Sequence, residues 1–105
     1  MTSGFGLIVR FNLRDAEAAK AFDVLVEETL KGIQAHEPGT LSYVVHTVAD
    51  EPNTRLFYEL YADREAFDQH EQQPHTRHFL AEREKYVADF DVTFVQSQGA
   101  AGAWR

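Results

Sequence analysis

The chain has 105 residues and a net charge of −7, with 44% hydrophobic and 26% charged residues and no cysteine. That length suits one compact domain with a single core, and the acidic balance argues against nucleic acid or an anionic membrane as a partner. The lack of cysteine excludes disulfides, thiol catalysis and thiolate metal sites.

The N-terminal MTSGFGLIVRF has no basic start and only a short apolar run. It does not read as a signal peptide, and no segment reaches the ~18 apolar residues of a membrane span. The expected location is a reducing cytoplasm. Residues 5–13, FGLIVRFNL, alternate: Phe5, Leu7, Val9, Phe11 and Leu13 share one face, with Gly6, Ile8, Arg10 and Asn12 on the other. This predicts a strand with one strongly apolar face. Residues 15–36 predict a long helix, since Ala18, Phe22, Leu25, Val26, Leu30 and Ile33 recur at helical spacing. Asp15 suits its N-cap and Glu17 its first turn, and Pro38-Gly39 stops it.

Residues 40–48, TLSYVVHTV, are β-branched and aromatic and predict a second strand. ADEPNT (49–54) predicts a turn, and RLFYELYA (55–62) a third strand, antiparallel to the second. Within it Leu56, Tyr58, Leu60 and Ala62 face one way and Arg55, Phe57, Glu59 and Tyr61 the other. The first set suggests that Tyr58 enters the core and that Tyr61 packs at a subunit interface. Asp63 caps a short helix, Pro74 interrupts it, and a further helical piece runs over roughly 75–87. Residues 90–97 alternate again as the last strand, and 98–105, which include the sole tryptophan Trp104, read as a flexible tail.

The order β-α-β-β-α-α-β over residues 5–97 predicts an α+β, ferredoxin-like sandwich with helices on one face of an antiparallel sheet. Several strands carry large apolar groups on both faces. That suggests a second layer, most simply the sheet of another subunit.

Two stretches carry a family likeness. EPGTLSY (37–43) follows the long helix, and FYELYADREAFDQHEQQPHTRHF (57–79) joins the third strand to the helices. They resemble segments of the antibiotic biosynthesis monooxygenase (ABM) domain family, and the chain as a whole is similar to its quinol monooxygenase-like members. The resemblance implies a homodimeric α+β barrel with an apolar pocket between each sheet and its helices. It also implies cofactor-free chemistry, with a small aromatic substrate and O2 as reactants. Other members degrade heme or isomerise a phosphorylated dione, so the fold alone does not fix the reaction. Heme degradation in this family uses a strand-one Asn, a Trp and a His. Asn12 could serve as the first, but the Trp position falls near His70 and Trp104 lies in the tail. An isomerase would need a phosphate site, and no phosphate loop is present.

His70 is the sharpest catalytic candidate, because an imidazole of ordinary pKa, roughly 6.5, can take a phenolic proton at neutral pH. The plain alternative is a structural histidine tying down a helix end. Tyr58 is a candidate for positioning a substrate oxygen, and Asn12 for orienting an oxygenated intermediate. Tyr61, Tyr43 and Phe57 are candidates for substrate contact or for packing alone. Arg10 could stabilise a phenolate or sit as a solvated pair with Asn12, and Glu59 is either a buried acid or half of an interface ion pair. His75 and His78 stand at i, i+3, but no H-E-x-x-H pattern accompanies them, so no metal site is expected. His36 and His46 read as structural or exposed. No dinucleotide, P-loop or nucleophile-elbow motif is present, so no cofactor is expected.

The leading reading is a cofactor-independent monooxygenase or quinol oxidase acting on a small aromatic hydroquinone or polycyclic phenol. The alternatives are a non-catalytic dimeric binder of a hydrophobic metabolite and an isomerase of a small dicarbonyl.

Overall fold

The computed structural model describes residues 4–102; Trp104 lies outside them. The elements run β1 (Phe5–Leu13), α1 (Ala16–His36), β2 (Thr40–Val48), β3 (Glu51–Tyr61), α2 (Arg64–Gln72), α3 (Pro74–Glu82), a short 3-10 turn (Arg83–Lys85) and β4 (Val87–Gln96). The four strands form one antiparallel sheet in the order β2-β3-β1-β4. This is the ferredoxin-like arrangement, with helices on one face.

The helices begin where their caps demand. The Asp15 carboxylate accepts from the Ala18 amide and the Asp63 carboxylate from the Ala66 amide, each at 2.8 Å. Pro74 occupies the first turn of α3, where its missing N–H costs nothing.

The register decides which residues enter the core. Phe5, Leu7, Val9 and Phe11 of β1 stand opposite Tyr61, Glu59, Phe57 and Arg55 of β3, and opposite residues share a face. The helix-covered face of β3 is therefore Arg55, Phe57, Glu59 and Tyr61. This corrects the expectation for the two tyrosines. Tyr61 is fully buried in the core, whereas Tyr58 lies on the other sheet face beside Ile8 and Val44. Phe11, Phe22, Phe57 and Phe79 form the aromatic centre, with ring centroids 4.9 to 6.2 Å apart. Arg55 is tolerated there because Asp23 of α1 accepts from Nε and Nη2, each at 2.9 Å.

Two boundaries differ from the expectations. The turn after β2 is only Ala49-Asp50, with Asp50 at φ 64. β3 begins at Glu51, and the ladder shifts register between Thr47 and Val48 to accommodate residues 52–54. The second helical piece ends at Glu82. Val87 already pairs with Leu13 in the sheet, because the Arg14 amide bonds the Tyr86 carbonyl at 2.9 Å and draws the chain into line with β1.

The sheet face away from the helices carries Ile8 and Val44, 38% and 42% exposed, with Leu56 and Tyr58 half-buried between them. Among the described residues no helix is long and apolar enough to cross a membrane.

Candidate active site

A cavity of about 180 Å³ lies between the helix-covered sheet face and helices α2 and α3. Leu7, Val9, Phe11, Phe67 and Phe79 form its apolar floor and sides. Its open wall is β4, which the helices leave largely bare: Phe90, Val92 and Phe94 line the cavity yet stay 49%, 37% and 60% exposed. The polar lining is Tyr43, Glu59, His70, Glu71, Thr76 and Arg83. An apolar slot with a few convergent polar groups is the usual form of a small-molecule site.

His70 is held by Glu37, the residue that ends α1. The Glu37 side chain is 4% exposed and its carboxylate gathers three donors. Thr40 Oγ1 donates to Oε1 at 2.7 Å, His70 Nδ1 bonds the same oxygen at 2.7 Å, and His75 Nε2 bonds Oε2. Burial alone would raise this carboxyl, but the donors His70, Thr40 and His75 outweigh it and hold it at about 2. An ionised carboxylate only accepts, so the proton of a neutral His70 sits on Nδ1 and Nε2 keeps its lone pair. Among the described residues Nε2 has no protein partner. Among the described residues no fully enclosed side-chain nitrogen or oxygen is left unpaired, so Nε2 keeps some exposure, and the residue lines the cavity.

The surrounding sequence builds this geometry. His70 is the sole buried residue of α2, and its ring sits 5.2 Å from that of Tyr61 and 5.7 Å from that of Tyr43. Gly32 in α1 leaves the space that the His75 ring occupies on its way to Glu37, where a Cβ would collide with the imidazole. Gly39 does the same for α2, since a Cβ there would stand 2.8 Å from that of Ala66.

Glu59 is the second acid of the site. It is 6% exposed and accepts the Tyr61 hydroxyl at 2.6 Å. Burial raises its pKa above the ordinary carboxylate value, against the pull of the Tyr61 hydrogen bond. Burial and the nearby Glu59 charge push the Tyr43 and Tyr61 phenols upward, so both stay protonated at neutral pH.

The expected site residues therefore divide. His70 and Tyr43 line the cavity, and Tyr61 stands one hydrogen bond behind it through Glu59. Phe57 packs in the aromatic core and does not reach the lining. Tyr58, Asn12 and Arg10 lie on the opposite sheet face from His70. There Asn12 donates to Asp89 at 2.7 Å and accepts from Thr54 at 2.9 Å, and Arg10 pairs with Glu51. His75 meets Glu37 as a hydrogen-bond donor rather than joining His78.

Two groups escaped the sequence reading, Glu37 and Arg83. Glu37 left a trace: an acid at a helix C-terminus opposes the dipole, which signals employment elsewhere. For Arg83 nothing local to the sequence distinguishes it from its charged neighbours.

The antibiotic biosynthesis monooxygenase family profile matches residues 5–82, and the chain belongs to that family. No curated protein sequence matches significantly. Among solved structures, a candidate antibiotic biosynthesis monooxygenase from Caulobacter crescentus superposes with a TM-score of 0.86 at 18% identity, over 93% of this chain and 92% of that one. The Rv0793 protein of Mycobacterium tuberculosis gives 0.85 at 26% identity, over 95% and 100%. A candidate monooxygenase from Lactobacillus acidophilus gives 0.82 at 30% identity over 91% of this chain, which spans only 46% of that longer one.

Proposed function

We propose that this protein is a cofactor-independent oxygenase that uses O2 on a small aromatic hydroquinone or polycyclic phenol. The supporting observation is the His70–Glu37 pair: an imidazole fixed by a buried carboxylate at Nδ1, with Nε2 unpartnered among the described residues, in a residue that lines an apolar, aromatic-walled cavity. In this reading Nε2 takes the proton of a phenolic hydroxyl, and the resulting anion reduces dioxygen far more readily than the neutral phenol does. The imidazolium that forms is stabilised by the Glu37 carboxylate at Nδ1, as in other base–orienter pairs. Tyr43, kept protonated by its surroundings, is the donor available to developing oxygen charge. The His70 imidazolium is then the acid available to return the proton.

Electrons balance without a cofactor in either product channel. In oxygenation one oxygen atom enters the ring system as a carbonyl and the other leaves as water. A CH2 of the substrate gives up two hydrogens and all four electrons. In oxidation a hydroquinone gives two electrons and two protons, yielding quinone and hydrogen peroxide.

A homodimer completes the proposal. The apolar face formed by Ile8, Val44, Leu56 and Tyr58 is a surface on which a second copy can bury its own sheet.

The experiment is oxygen uptake on dihydroxynaphthalenes, anthrones and simple hydroquinones with no cofactor added, comparing wild type with His70→Ala. Uptake above autoxidation that is lost in the variant is expected. Uptake unchanged by the substitution removes His70 as the base. No uptake with saturable binding of the same compounds replaces the enzyme by a metabolite-binding module.

A further inference from the structure

Arg83 follows the last turn of α3 and lines the mouth of the same cavity. Each of the other described arginines is employed within the chain. Arg10 pairs with Glu51, Arg55 with Asp23 and Arg64 with Asp68, while Arg14 donates to the Glu84 carbonyl and Arg77 to the Gln72 amide oxygen. Among the described arginines only the Arg83 guanidinium donates to no protein group. Its guanidinium is instead held by rings, with Cζ 4.6 Å from the centroid of Phe90 and 5.7 Å from that of Phe11. Both rings belong to the cavity wall. Glu71 across the cavity and Glu84 next in the chain influence its charge, but neither is within ion-pair distance.

We propose that Arg83 is an anion-recognition subsite, and that the ligand of this cavity is an aromatic compound bearing a single carboxylate. The inference deepens the oxygenase reading and takes from it only that the cavity holds the substrate. A half-buried guanidinium has lost water and gained no acceptor, which is costly until an acceptor arrives. Its planar fork of N–H donors matches the two oxygens of a carboxylate, and it is weakly hydrated enough to give up its remaining water for one. The rings that carry it present a flat apolar surface, with Phe94 and Val92 beyond. An aromatic body lying on that wall directs its carboxylate to Arg83 and a hydroxyl inward to His70. The charge is single because Glu59 and Glu71 share the cavity. A phosphate dianion would meet both acids with only one cation lining the same space.

The competing explanation is that Arg83 merely covers Phe90 by cation–π packing. The two differ in ligand selectivity. The test is calorimetric titration of the full chain with 6-hydroxy-2-naphthoate and with 2-naphthol, which differ only in the carboxylate, on wild type, Arg83→Gln and Arg83→Lys. Wild type is expected to bind the carboxylate at least about tenfold more tightly. That preference disappears in Arg83→Gln and survives in part in Arg83→Lys, while 2-naphthol binds all three alike. Loss of packing would weaken both ligands together, so the ratio reports the charge. Should Arg83→Gln fail to fold, a preference in Arg83→Lys undiminished from wild type overturns the proposal. Equal affinities in wild type, no binding of the carboxylate, or a preference unchanged in Arg83→Gln would also overturn it. Oxygen uptake is read separately: carboxylate selectivity without uptake leaves the subsite standing and removes the oxygenase.

Discussion

On one face of β3 stand Arg55, Phe57, Glu59 and Tyr61, all buried; on the other, Leu56 and Tyr58 reach solvent, while Thr54 and Leu60 are covered. The charges on the helix-covered face, Arg55 and Glu59, are buried, whereas those of the open side, Arg10 and Glu51, stay exposed as a pair. Burial here follows from what neighbours supply. Arg55 has the Asp23 carboxylate on α1, Glu59 has the Tyr61 hydroxyl, and Phe57 has three phenylalanine rings around it. Tyr58 has only Ile8 and Val44 beside it and Leu56 only Arg10 and His46, with no second layer over them among the described residues. Leu60 is covered because Gly4 and Gly6 leave room for it. Of the polar groups on the buried face, Glu59 lines the cavity, Tyr61 stands one hydrogen bond behind it and Arg55 is tied to α1.

The sharpest way to break this contrast is to empty each face in turn. Phe57→Ala is expected to cost about 3–5 kcal/mol in urea denaturation, as for a phenylalanine lost from a packed core. Leu56→Ala should cost no more than about 1 kcal/mol in the monomer. Equal losses would mean that the open face is as fully packed as the core.

Activity should divide along the same line. With a competent phenol, His70→Ala is expected to lower kcat by roughly 10²–10⁴-fold, while Tyr58→Phe, on the opposite face, leaves both kcat and KM unchanged. A Tyr58→Phe defect in an oxygen-uptake assay would show that the reaction uses the open face.

Glu37 gives a pH signature to the buried cluster. Its carboxyl is held at about 2, below the ordinary 4.5. A lowered folded pKa means the unfolded chain takes up the proton first as pH falls. The stabilisation is therefore complete above about pH 4.5 and disappears as pH drops through 2. Glu37→Gln should cost about 1.5–3 kcal/mol at neutral pH, the scale of hydrogen bonds to a charged group. The gap between variant and wild type should narrow between pH 4.5 and 2. A gap that is constant over that window would mean Glu37 is not ionised in the folded protein.

The smallest effect on the folded subunit is expected at Val44. Val44→Glu should change monomer stability by no more than about 0.5 kcal/mol, yet sedimentation velocity should show the proposed dimer, expected of wild type, replaced by monomer. An unchanged assembly would remove the open face as the contact between copies.

The period of the apolar residues, the caps at Asp15 and Asp63 and the breaks at Pro38-Gly39 and Pro74 determined the elements, their order and thus the ferredoxin-like fold, because these signals act within a few residues of chain. Nearness of His70 to an aromatic pocket was legible through the second motif alone. What the local signals left undecided was parity. A strand flanked by apolar residues on both sides does not declare which face meets the helices, and the all-apolar set of Leu56, Tyr58 and Leu60 pointed the wrong way. Only the pairing of β3 with β1 decided it, by setting Glu59 and Tyr61 opposite Leu7 and Phe5. The same holds for the site. Glu37 and His70 stand 33 residues apart in the chain, and Arg83 finds its rings on a different element, β4. Such contacts depend on how elements pack, and that information is spread over the whole chain rather than held in any one stretch of it.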